Sequence, residues 1–107
     1  MTDPSLLSRA FQLFFKNAPH HADVWMDMVH RLAQASALDE KTAALAYLAV
    51  LAALRLESGI PFHVRHAKTL GATRDEIVSA ILVGLPAAGH AVLQALPPAL
   101  DTLDADA

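Results

Sequence analysis

Residues 43–54, AALAYLAVLAAL, constrain the fold more than any other stretch: twelve consecutive residues with no charge and no polar face. Alanine and leucine dominate the run, and Val50 is its only β-branched residue, so its backbone favours helix over strand. A helix that is apolar on every side needs neighbours on every side. Twelve residues are too few to cross a bilayer, which takes about 20, so those neighbours have to be protein. A chain of 107 residues is one domain by size, with a limited core. If one face of the helix stayed wet, about five Leu- or Val-sized side chains would forgo burial at roughly 1.5 kcal/mol each. That ~8 kcal/mol rivals a whole domain's stability of ~5–15 kcal/mol. Self-association is the expectation. The alternative is a monomeric bundle whose alanines make this helix read as more buried than it is.

The flanking segments also read as helix. Asp3-Pro4 offers an N-cap followed by proline at the first helical position, with Leu7, Phe11, Phe14 and Phe15 on one face until Pro19. A second helix follows, with Trp25, Met28, Val29 and Leu32 at i, i+3, i+4 and i+7, His20, His21 and Asp23 in its first turn, and Arg31 near its end. Asp39 caps the apolar third helix, which runs to about Leu56, and Glu40 suits its dipole. Ser58 is the candidate cap of a fourth, carrying Pro61, His63 and His66 and closing at Gly71, a left-handed residue past its end. Thr73 and Glu76 form a capping box for a fifth helix, in which Ile77, Ala80, Ile81, Gly84 and Leu85 repeat at helical spacing. Pro86 starts a sixth, PAAGHAVLQAL, before Pro97-Pro98 and a tail with Asp101, Asp104 and Asp106. No strand pattern, repeat or low-complexity linker appears, so residues 1–107 read as a single all-α domain of six helices.

Charge and composition exclude several functions. The net charge is −3 and the basic residues are scattered singly, as at Arg9, Lys16, Arg31, Lys41 and Arg55, so nucleic acid is not an expected partner. The chain contains no cysteine, which removes disulfides, thiol nucleophiles and thiolate metal sites together. Its first residues, MTDPSLLSRA, carry no basic segment followed by an apolar one, so no secretory signal is visible. A cytoplasmic protein without a membrane partner is expected.

The segments ALDEKTAALAYLAV, HVRHAKTLGATRDEI and LPAAGHAV stand in an order that resembles the carboxymuconolactone decarboxylase/alkylhydroperoxidase D-like superfamily. The most specific piece is a histidine eight residues before a glycine, then Ala-Thr-x-x-Glu: here His63, Gly71, Ala72, Thr73 and Glu76. The resemblance spans roughly residues 14–96 and implies a six-helix alkylhydroperoxidase D-like subunit in an intertwined helical oligomer, a trimer or hexamer. The peroxidase branch uses Cys-x-x-Cys-x-x-x-His with a glutamate upstream. Counting back from His63, its cysteine positions hold Gly59 and Leu56, and its glutamate falls near Ala44. A thiolate must attack peroxide and a second thiol resolve the product, so peroxidase chemistry is rejected. The decarboxylase branch needs no cysteine, and LPAAGHA is similar to its Pro-Ala-Ala-x-His-Ala segment at Pro86, Ala87, Ala88, His90 and Ala91. That branch places a carboxylate one turn before the histidine, where this chain has Gly59, with Glu57 the nearest acid.

The resemblance thus implies a cofactor-independent acid–base enzyme of the decarboxylase-like lyase type, acting on a small organic acid or lactone. His63 is its principal proton-transfer group, since imidazole ordinarily titrates near 6.5. His90 would orient or neutralise a substrate carboxylate, and Glu57 would be a partner. The plain alternative for His63 is a hydrogen-bonded contact between helices. For His90 it is a residue beside glycines that merely permit tight packing. His66 reads as solvent-exposed, and the adjacent His20 and His21 as surface residues on different faces. Trp25, Tyr47 and Phe62 are candidates to line a pocket, but aromatics on helices are usually core, and no binding role is assigned to them. His63 and His66 lie one turn apart and could share a metal only with a third ligand. No metal and no cofactor are expected in the leading reading; the competing class is a non-catalytic oligomer that binds a small molecule or another protein, and a third reading is a metal-binding subunit with His90 or Glu57 as the further ligand.

Overall fold

A computed structural model describes residues 6–105, and every regular element among them is helical. The Asp3-Pro4 start and Asp106 lie outside those residues. Helix α1 spans Arg9–Asn17, capped by Ser8, whose hydroxyl accepts a hydrogen bond from the Phe11 N–H at 3.1 Å. Helix α2 covers Pro19–Ala35 with its proline in the first turn, where a missing N–H costs no hydrogen bond. Both lie in one compact unit, Met1–Asp39, and Glu40–Ala107 forms a second.

In the first unit the two helices meet through aromatic rings. Phe11 packs edge-on against Phe15 at 4.9 Å and against Trp25 at 5.0 Å between ring centres, the arrangement that the ring quadrupoles favour. Among its described residues only Ala22 is fully buried, while Val24, Met28 and Leu32 stand exposed at four-residue intervals along α2.

The second unit holds the main core. Helix α3 is Glu40–Ala53, a 3₁₀ turn follows at Glu57–Gly59, and α4 is Ile60–Thr69. Helix α5, Arg74–Leu82, precedes a single turn α6, Leu85–Ala88, a 3₁₀ stretch Gly89–Ala95, and α7, Leu96–Ala105. Leu48 and Leu51 from α3 enclose the core with Ile60 and Val64 from α4, Ile77 and Ile81 from α5, and Val92, Ala99 and Leu103 beyond. Their spacing of three or four residues makes one apolar stripe per helix, and α3 lies against both α4 and α5.

The local signals at Thr73 and Gly71 are present as expected. Thr73 Oγ1 accepts from the Glu76 N–H at 3.1 Å, and Glu76 Oε1 accepts from the Thr73 N–H at 2.9 Å. Gly71 sits at φ 95°, past the end of α4. Three expectations are corrected. Ser58 does not cap α4; it lies inside the 3₁₀ turn, and the residue before α4 is Gly59, with no side-chain cap. The sixth helix expected from Pro86 is only the four-residue α6 and a 3₁₀ stretch, because Gly89 at φ 74° breaks it. Pro97-Pro98 is no stop signal either: both prolines occupy the first turn of α7, where N–H groups have no intrahelical partners. The stretch Arg74–Ala105 is long and apolar enough to pass for a membrane span, but these same interruptions keep it from forming one rod.

Helix α3 is buried along Ala44, Leu48, Leu51 and Ala52. On its outer side Tyr47 is 45% exposed and Val50 51%, and Leu54, just past its end, is 63% exposed. Within the unit Glu40–Ala107 the all-round apolar helix is therefore covered on one side only.

Candidate functional site

Ile60, Val64 and Ala67 anchor α4 in the core, and that anchoring puts His63 at the margin, half-buried. Tyr47 reaches it from α3: the two ring centres are 4.4 Å apart with planes tilted by 38°. Phe62 presents its ring nearly perpendicular at 5.0 Å and also stacks parallel to His66 at 6.3 Å. One turn before His63, a Cβ built on Gly59 would lie 3.5 Å from the Leu51 side chain and 3.9 Å from His63 Cδ2. Among the described residues, no hydrogen bond or ion pair engages the ring nitrogens of His63.

This seat changes the acid–base character of the imidazole. Burial, and secondarily the charge of His66, lower the His63 pKa from 6.5 to about 4. At pH 7 roughly one ring in a thousand is protonated. His63 is therefore a neutral group with one N–H donor and one nitrogen acceptor, able to accept a proton and poorly supplied with one to give.

The two other candidates are placed differently. Glu57 lies in the 3₁₀ turn, where its carboxylate accepts from Arg55 Nε at 2.7 Å. That hydrogen bond is the leading reason its pKa falls below the ordinary carboxylate value. Arg55 itself has φ 60°, the left-handed region that a side chain disfavours. No hydrogen bond or ion pair joins Glu57 to His63. His90 is exposed in the 3₁₀ stretch, directly after Gly89, and makes no hydrogen bond, ring contact or ion pair among the described residues. The segment that carries it is 3₁₀, in place of the α-helix expected from Pro86.

His66, His20 and His21 are exposed. Among the described residues no three His, Asp or Glu side chains are grouped closely enough to hold a metal ion. Tyr47 is the residue that sequence reasoning passed over. Inside an apolar run an aromatic reads as core, and nothing in the spacing signals that it faces a histidine 16 positions later.

Residues 19–101 match the sequence model described as the Carboxymuconolactone decarboxylase family, a range that includes Tyr47, Glu57, His63 and His90. No curated protein sequence and no solved structure matches the chain significantly.

Proposed function

The chain belongs to the carboxymuconolactone decarboxylase family, and from that premise we propose that it is a thiol-free, decarboxylase-like acid–base enzyme. Its substrate is a small organic acid or lactone, and His63 is the principal proton-transfer group: its neutral ring takes a proton from the substrate and returns it to the carbon that carbon dioxide leaves. The observation that supports this reading is a half-buried imidazole, kept neutral by its surroundings and without a hydrogen bond to its ring nitrogens among the described residues. A base this weak suits a carbon acid already acidified by adjacent carbonyl groups, because proton transfer is efficient when donor and acceptor are matched. His90 would meet the substrate carboxylate, and Glu57 would assist once released from Arg55. No cofactor is invoked. The absence of cysteine removes peroxidase chemistry. The functional unit is a cytoplasmic homo-oligomer, a trimer or hexamer, in which copies cover the outer side of α3. The exposure of Val50 and Leu54 supports that assembly.

The test is proton exchange and carbon dioxide release from a panel of small lactones and keto acids in D₂O, followed by NMR. Loss of general-base catalysis in His63→Gln should lower turnover about 100-fold or more, with smaller losses in His90→Ala and Glu57→Gln. Full turnover in the His63 and His90 variants would discard the mechanism. A non-catalytic oligomer that binds a small molecule or protein is the second reading. It is favoured by Gly59 in the place of a carboxylate and by the Arg55 hold on Glu57.

A further inference from the structure

His63 raises a mechanical question. A histidine that acts on a ligand is ordinarily oriented by a hydrogen bond to one ring nitrogen, which fixes its rotation and tautomer. Here no such bond exists among the described residues, and the position one turn earlier is glycine. Something else must set the ring plane. Phe62 precedes His63 directly in sequence and touches it edge-on. Gly59 offers no side chain, and Leu51 lies behind Gly59. Tyr47 comes from another helix and approaches most closely, with its ring centre 4.4 Å away and inclined by 38°.

The identity of Tyr47 sharpens the point. It is the chain's single tyrosine, set in a run otherwise made of Ala, Leu and Val. Its neighbours Leu48 and Leu51 are buried in the core, so the backbone of α3 is rigidly held at this position. A side chain on such a helix can serve as a fixed wall.

We propose that Tyr47 is a positioning residue of the His63 site: its ring covers one face of the imidazole and fixes the ring plane. It thereby takes over the orienting task that a carboxylate at position 59 would perform. The assignment rests on the reading of His63 as the working group, but it makes a statement about ring order that holds whether or not turnover is found.

Covering one face of the imidazole also withholds water from it, which disfavours the charged form. Burial is the leading cause of the lowered His63 pKa. Other titratable groups stand on the elements packed against α4: Glu40 and Lys41 on α3, Glu57 on the 3₁₀ turn, Arg74, Asp75 and Glu76 on α5, Asp101 and Asp104 on α7. Lys41 is paired with Glu76, Arg74 with Asp104, and Glu57 with Arg55. His66, one turn along α4, is the charge that acts on His63.

The experiment is NMR of the full-length chain with labelled histidine, in the wild type, Tyr47→Phe, Tyr47→Leu and Tyr47→Ala. Each variant is first checked for native helicity and assembly state. The expected result is that Tyr47→Phe keeps both the acid-shifted His63 titration and slow ring motion. Tyr47→Ala should move the midpoint toward 6.5 and increase ring mobility. Tyr47→Leu preserves apolar bulk without a flat ring, so it should keep the low midpoint and increase ring mobility, and it carries the test if the alanine variant fails to fold. Unchanged His63 relaxation in a folded leucine variant overturns the proposal. So does a Tyr47→Phe variant that behaves like Tyr47→Ala, since the hydroxyl and not the ring would then be responsible. Failure of every variant and the wild type to turn over substrate, with the ring effects intact, rejects the enzyme reading and leaves the positioning role standing.

Discussion

Seating an imidazole between Tyr47 and Phe62 penalises its charged form, and that penalty is felt by the fold as well as by the chemistry. The folded-state pKa of about 4 lies below the unfolded value of 6.5. Between these values the unfolded chain binds more protons at this residue, so stability rises with pH through the window. The contribution is complete above about pH 6.5 and is lost as pH falls toward 4, amounting to about 1–2 kcal/mol after solvent screening of a partly exposed group. Urea denaturation between pH 4 and 7 should show this slope in the wild type and a flatter one in His63→Phe. Gly59 supplies a second prediction at the same scale. A Cβ there makes ordinary contacts, 3.5 Å and 3.9 Å at the nearest, and the residue has φ −88°, so a side chain fits without backbone strain. Gly59→Glu should place a carboxylate one turn before His63, favour the imidazolium and raise its pKa by about one unit or more. Histidine NMR reads the shift directly, and an unmoved midpoint would show that the added acid points away.

Helix ends were the most legible part of the fold, because a cap is settled within four residues. Thr73 and Glu76 exchange both hydrogen bonds of the capping box, and the Gly71 backbone is left-handed as its place after α4 implied. Thr73→Ala removes one of those bonds and should cost about 1 kcal/mol in urea unfolding, with helicity otherwise preserved. Pro97-Pro98 was misread for an equally local reason: proline bars a helix interior but suits a first turn, so the same pair fits an end or a beginning. Ser58 shows the limit of composition, since a serine two residues before a helix is a cap only if the intervening turn lets its hydroxyl reach an N–H. The His63–Tyr47 contact was illegible altogether. It depends on the rotation of α3 against α4, which side-chain packing decides and an all-apolar periodicity cannot report. The reverse holds for His63 itself, whose motif position marked it without giving its protonation state.

Across the whole molecule, the expectation drawn from residues 43–54 meets a definite surface. Val50 and Leu54 stand one turn apart, outward from a helix whose opposite side is fully packed. Along α2, Val24 and Leu32 are 72% and 62% exposed in a unit with a single buried residue among those described. A scattered leucine on a surface needs no explanation, but apolar stripes on two helices do. Covering these four side chains would gain roughly 1.5 kcal/mol each, about 6 kcal/mol per chain. A second copy of the chain is one source of that cover. A charge at a wet position changes stability by about 0.5 kcal/mol or less, whereas an unpaired charge sealed in an apolar contact costs several kcal/mol. Leu54→Glu and Val50→Glu therefore separate the two cases. If copies cover α3, sedimentation of the wild type should give a trimer or hexamer, and either variant should shift it to smaller species at unchanged helicity. A wild type that sediments as a monomer at every concentration would remove self-association as the cover for these side chains.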